Sequence, residues 1–516
     1  MSADLALINT NIRTMNPDQP TAQALAIDKN KIVKVGTNKQ IGKLINEKTK
    51  VLNFEGKTVV PGLIDTHIHV ADYGRCLMWL DLTATHSISE IQSILKEKAR
   101  QTPVGKWIVG RGWNQNRFKE QRMLHISDLD DSAPNNPVIL YHETAMICAV
   151  NTKALQVAGV TKQTPLPKGG VIEKNPVTDE LTGIFRDIAT NLIWQAVPEP
   201  TASELLDATA FACQKISAAG ITSVHWLVLS EVELEIIQNL YALGRLPFRV
   251  NVVVPQELLG KTVCFKTSDV SVLRVGGATI AADGYLDSKE AALFEPYSDE
   301  PKNNGKLLCT EQELAASVAL VLAAGVQPIV LAMGDKAIDM TLKVIEQTKK
   351  SNVRFRIEQA AVLNKDLIQR LKKQEVVVSV QPKVISTEFS VWSAVQRLGL
   401  ERARCLHPLK TLLIEGVKVV GGSDCPMEPL SPLLGIQEVV LRTDFPEQRL
   451  SVEEALRMYT LDAAYSSGEE TVKGSIEEGK LADLTVLSSD PMAVEPEKIR
   501  DTKVEFVIID GKILIV

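Results

Sequence analysis

From residue 210 onward one unit keeps returning: an apolar-periodic helix that stops at a glycine, a short apolar strand, then polar or glycine-rich residues. ISAAGITSVHW, LVLAAGVQPIVLAMGD and LLIEGVKVVGGSD each read this way. Further apolar strands are expected at Phe248 to Val254, Ala278 to Ala282, Phe355 to Glu358 and Val376 to Val380. With a first strand at Val59 to Asp65 and another at Ile221 to His225 the count is eight. Short, continuously apolar strands between helices belong to a parallel sheet buried on both faces. The fold class is therefore α/β, a TIM (β/α)8 barrel, with a Rossmann-like open sheet as the competitor. No GxGxxG follows the first strand, which disfavours the competitor.

The ends read differently. Residues 1–57 carry short strands with turn signals, and so does Leu481 to Val516, where Asp510-Gly511 is a hairpin signal. Residues 1–57 and 467–516 are expected to form one small β-sandwich-like domain, and residues 58–74 and 201–466 the barrel. Residues 75–200 are far more than a crossover needs, and are expected to be an insertion serving as a lid.

Composition excludes more than it selects. A hydrophobic fraction of 45%, a charged fraction of 23% and a net charge of -6 without a long basic run disfavour disorder, nucleic acid and anionic membranes as partners. The start of the chain, MSADLALINTNIRTMNP, lacks a basic, apolar leader and reads as a strand followed by a turn. The apolar window Leu314 to Met333 is split by Gly325, Gln327 and Pro328. Seven cysteines without a CxxC pair suit a reducing compartment. A cytoplasmic protein acting on a small molecule is expected, with a homodimer as the base-rate assembly.

Two segments carry chemistry. In PGLIDTHIH, His67 and His69 stand two apart at a strand end, so both imidazoles face one side, a donor pair suited to zinc. In VVGGSDCP, Asp424 ends the last barrel strand on the face where barrel active sites sit, although an aspartate there could equally cap a helix.

The ordered segments PGLIDTHIH, LDLTATHSISEI, GRGWNQNRF, APNNPVILYHET, ADGYLDSKEAAL, MGDKAIDM, RIEQA, SVQPKV, GGSDCPMEPLSPL and KGSIEEGKLADLTVL resemble the amidohydrolase superfamily, in its N-substituted formamide deformylase-like branch, over nearly the whole chain. The resemblance implies a metal-activated water attacking a non-peptide C-N bond in an amide, imide or formamide. It also implies His67 and His69 as metal ligands and Asp424 as ligand and general acid/base. Several ligand positions depart from that pattern: Thr279 stands for a bridging lysine, Leu331 and Gln359 for histidines, and the insertion reads Thr144-Ala145-Met146. A lysine-bridged pair of metals is thereby disfavoured, and one divalent ion, zinc, on His67, His69 and Asp424 is expected. Substitute ligands would come from His225, Asp283, Asp335, Glu358, Gln359 or Cys425, each with an ordinary structural role open to it. Two further readings stay open, a metal-independent hydrolase of a lactone or activated amide and a non-catalytic ligand-binding barrel. His86, His125, His142 and His407 read as structural.

Overall fold

The apolar runs pair side by side in chain order. A computed structural model describes residues 3–144, 146–265, 267–348 and 353–515; Ala145 of the altered insertion segment lies outside them. Eight strands form one sheet: Leu63–Ile68 (β1), Ile221–Leu227 (β2), Arg249–Pro255 (β3), Leu273–Ala281 (β4), Gln327–Ala332 (β5), Arg356–Gln359 (β6), Val377–Val380 (β7) and Val419–Gly421 (β8). Each is parallel to its neighbour in the order β1 to β8. β8 and β1 meet at the seam, where Thr66 Oγ1 donates to Gly421 O at 3.0 Å and Asp424 N donates to His67 O at 2.8 Å. The sheet is thus a nearly closed barrel.

Helices alternate with these strands because the sequence starts and stops them. Thr310 and Glu313 form a reciprocal cap at the start of Glu311–Ala323. Gly416 ends Leu409–Glu415 with φ 87°, a conformation that costs a residue without Cβ little, and β8 follows directly. The apolar window at Leu314 resolves into that first helix and β5, and among the described residues no helix is long and apolar enough to cross a membrane. None of the cysteines whose side chains are described forms a disulfide.

The first barrel strand departs from expectation at its start. Val59 to Asp65 is not one strand: Thr58–Pro61 pairs with Leu484–Leu487 and Asn11–Ile12, and the barrel strand begins only at Leu63. Gly62 is the corner, because a Cβ there would lie 2.1 Å from Thr222 Oγ1, so only glycine lets the chain pass against β2.

Both chain ends build a two-sheet β structure. One sheet runs Lys31–Gly36, Ala24–Asp28, Leu5–Ile8, Lys50–Asn53, and the other Lys512–Ile515, Val504–Ile509, Leu484–Leu487, Thr58–Pro61, Asn11–Arg13, Thr21–Ala22. Leu7, Leu25 and Ile27 of the first pack with Ile12, Val59, Leu484, Val486 and Ile508 of the second. The expected hairpin is present, with Asp510 at φ 54° and Gly511 at φ 73° between paired Ile509 and Lys512.

Residues Tyr73–Thr209 form a separate compact unit. Its own six-stranded sheet has the order Gly170–Lys174, Leu181–Asp187, Ile147–Val150, Val138–His142, Ile108–Trp113, Leu80–Asp81.

Candidate metal centre

His67 and His69 occupy the C-terminal end of β1 and the residue beyond it, and Asp424 follows the end of β8 across the seam. Two backbone bonds and one from backbone to side chain hold the two segments in register. Asp424 N donates to His67 O, His69 N donates to Cys425 O at 3.0 Å, and Ser423 N donates to Asp65 Oδ1 at 3.0 Å. The same Asp65 oxygen accepts His67 N at 3.1 Å. Asp424 itself turns at φ 57°, a left-handed conformation that aspartate tolerates better than most residues.

The result is a convergence of donors. Asp424 Oδ1 lies 3.4 Å from His67 Nε2 and 3.5 Å from His69 Nε2, and one ligand atom from each residue falls within 4.8 Å of the others. Ligands at about 2.0 to 2.1 Å from a tetrahedral zinc stand about 3.4 Å apart, so this spacing fits one such ion. Among the described residues this is the one group of three or more His, Cys, Asp or Glu side chains with that spacing.

The charges around the group are unequal. Burial opposes protonation of His67, yet the Glu358 and Asp424 carboxylates outweigh it and lift its pKa to about 10. Burial would raise Asp424, but hydrogen bonding to the two imidazoles holds it well below the usual carboxylate range. His67 is thus flanked by two carboxylates, of which Glu358 is balanced by Arg356 and Asp424 faces the two imidazoles.

The remaining expected residues go elsewhere. His225 Nδ1 accepts from Arg356 Nη1 at 2.8 Å, and burial together with that guanidinium keeps the ring's pKa far below its ordinary value. Asp283 accepts three backbone N–H groups, from Ala292 at 2.8 Å and from Met333 and Gly334 at 2.9 Å each. Asp335, in the first turn of Asp335–Gln347, accepts Phe294 N at 3.0 Å. Glu358 accepts from His67 Nδ1 at 2.9 Å and pairs with Arg356. Gln359 is buried at the end of β6 with φ 68° and an Oε1 that has no partner among the described residues. Cys425 is buried and lends its carbonyl to His69. His86 and His125 are exposed, His142 packs edge-on against Trp113 at 4.9 Å, and His407 pairs with Glu388 at 2.7 Å.

Arg356 and Asp65 are the participants that reading the sequence missed. In RIEQ, residues 356 and 358 share one face of a strand that is buried throughout, so two opposite charges face the barrel interior together. That alternation was the available signal.

The comparisons with known proteins give the family. A model of the amidohydrolase family matches residues 50–515. The chain belongs to the amidohydrolase family. Within it, YtcJ of Bacillus subtilis (strain 168), which carries an amidohydrolase name, is 33% identical over 98% of each chain. The N-substituted formamide deformylase of Arthrobacter pascens is 27% identical over 98% of this chain and 97% of its own. A crystal structure of an uncharacterized metal-dependent hydrolase from Pyrococcus furiosus matches with a TM-score of 0.77 at 28% identity, covering 95% of this chain and 99% of that one. In this amidohydrolase-family member Thr279 on β4 and Leu331 on β5 offer no imidazole or carboxylate, and Thr279 Oγ1 turns to Val254 O at 3.5 Å.

Proposed function

We propose that this protein is a hydrolase of non-peptide C-N bonds, in an amide, imide or formamide, working with a single divalent ion, zinc, on His67, His69 and Asp424. The observation that carries the reading is the convergence of two imidazole Nε2 atoms on one carboxylate oxygen at 3.4 and 3.5 Å. Membership of the amidohydrolase family and similarity to a formamide deformylase support the C-N bond class.

An ion held there supplies Lewis acidity, which polarises a carbonyl and makes water acidic enough to attack near neutral pH. The chain's own contribution is positioning and proton transfer. His67 and His69 would hold the ion through Nε2 as neutral rings, the ion replacing the proton that the neighbouring carboxylates otherwise favour on His67. Asp424 faces both rings through Oδ1, so its second oxygen takes the proton from the attacking water and returns it to the departing nitrogen. Gln359, Leu331 and Thr279 leave no second set of strong ligands, which favours one ion over two.

The test is elemental analysis of protein purified without a metal-affinity tag, alongside His67→Ala and Asp424→Ala. About one zinc per chain in the wild type, lost in both variants, and metal-dependent hydrolysis in a panel of amides, imides and formamides is the expected result. A wild type that stays empty after incubation with zinc overturns the reading, as does hydrolysis that survives chelation.

A further inference from the structure

Beneath the ligand group lies a buried ion pair that the proposed chemistry does not use. Glu358 Oε2 accepts from His67 Nδ1 at 2.9 Å and receives a longer contact from Gln381 Nε2 at 3.4 Å, while Oε1 is paired with the Arg356 guanidinium. Arg356 is fully buried and distributes its donors to three strands. Nη2 reaches Thr66 O at 2.6 Å and Ser379 Oγ at 3.0 Å, and Nη1 reaches His225 Nδ1 at 2.8 Å. Thr66 immediately precedes His67, so the pair grips that histidine through its ring and through the backbone before it.

A buried glutamate–arginine pair gives no general gain in stability over apolar side chains of the same volume. What this pair supplies is local. When the ring is neutral, an Nδ1–H that donates to a carboxylate leaves the lone pair at Nε2, and the bond also fixes the ring plane and raises the donor strength of Nε2; a divalent ion at Nε2 takes the place of the second proton. His67 Nε2 is the atom that faces Asp424 and His69. We infer that Glu358, with Arg356 as its counter-ion, is a positioning residue for the cation site: it holds His67 in the Nδ1–H tautomer and orientation that binds a divalent ion. The inference rests on the single-ion reading of His67, His69 and Asp424.

The experiment is competition for Zn2+ between the full-length protein and a chromophoric chelator, with thermal melting of the metal-free forms in parallel. Glu358→Gln keeps the side-chain shape and loses the charge; its Zn2+ affinity, measured well below the melting temperature of each form, is expected to fall about 10- to 100-fold, and its metal-free form to melt lower than wild type because Arg356 loses its buried counter-ion. Glu358→Asp restores the charge at shorter reach and recovers part of the affinity. Glu388→Gln, which removes a carboxylate from the other buried histidine pair, that with His407, leaves affinity unchanged. Equal affinity in wild type and Glu358→Gln overturns the inference and leaves the metal reading standing. A wild type that takes up no zinc overturns the metal reading, and this inference with it. Should Glu358→Gln fail to fold, Glu358→Asp decides: undiminished affinity there also overturns the inference.

Discussion

A Cβ added at Gly422 would stand 2.5 Å from His67 Cβ, 2.6 Å from His67 N and 3.0 Å from His67 Cα. Two of those are backbone atoms, and the third is fixed by them, so none can swing aside. His67 is also tied at Nδ1 to Glu358 and at its carbonyl to Asp424 N, so displacing β1 disturbs both ends of the ligand group. Gly422→Ala is therefore expected to fold with a loss of about 1 to 3 kcal/mol, the usual cost of forced overpacking, and to lose most of its Zn2+ affinity. Chelator competition and melting together check it; unchanged zinc affinity would show that the seam has slack. That His67 and His69 face one side was legible in the chain, because a two-residue spacing at a strand end fixes which way both imidazoles face; Asp424 alone read equally as a helix cap, and only the family resemblance set it beside them. Arg356 was not legible as a partner, since its role depends on Thr66, Ser379 and His225, which other strands bring to it.

At the level of elements, the segment after β4 is held to the end of β5 by one buried carboxylate. Asp283 accepts N–H groups from Ala292 on its own side and from Met333 and Gly334 on the other. Gly334 has no room for a side chain, with Ala292 O 2.0 Å from where its Cβ would be. Burial nonetheless dominates over the three N–H donors and lifts the Asp283 pKa from 3.8 to about 6. A group whose pKa is higher in the folded state gives stability that is complete below its unfolded pKa and fades as pH rises through the folded one. For Asp283 the window runs from about pH 4 to above 6. Relative to Asp283→Asn, the wild type should thus gain about 1 kcal/mol on going from pH 7 to pH 5, seen as a widening difference in melting temperature. A constant difference across that range would mean that the donors, and not burial, set the carboxylate. Strand positions were legible here to within a few residues, because buried parallel strands are uninterrupted apolar runs. The break at Gly62 was missed although Pro61-Gly62 is itself a turn signal; the approach of Thr222 is what makes the corner there a glycine.

On the scale of the whole molecule, the two chain ends were recognisable as β structure from their turn signals, and the Asp510-Gly511 turn adopts the backbone its sequence demands. One link that joins that β structure to the barrel was hidden, because it is a long-range cluster. Arg249, at the start of β3, donates from Nε to Asp483 Oδ2 at 2.6 Å and from Nη2 to Asp483 Oδ1 at 3.0 Å, with Asp510 Oδ1 a further 3.2 Å contact. Arg249 and Asp483 have side chains only 3% and 4% exposed, so neither is screened by water. Asp483 also accepts Asp510 N at 3.0 Å, and its carbonyl accepts Gly62 N at 2.8 Å, so the pair ties β1, β3 and the C-terminal hairpin at one point. Removing one partner of such a pair strands a buried charge, which costs roughly 3 to 5 kcal/mol, whereas removing both is far milder. Arg249→Met is accordingly expected to lower the melting temperature by several degrees, with Arg249→Met/Asp483→Leu melting above the single variant. If the double variant melts no higher than the single one, the stranded carboxylate is not the source of the loss. The cluster would then act through packing of the arginine stem alone.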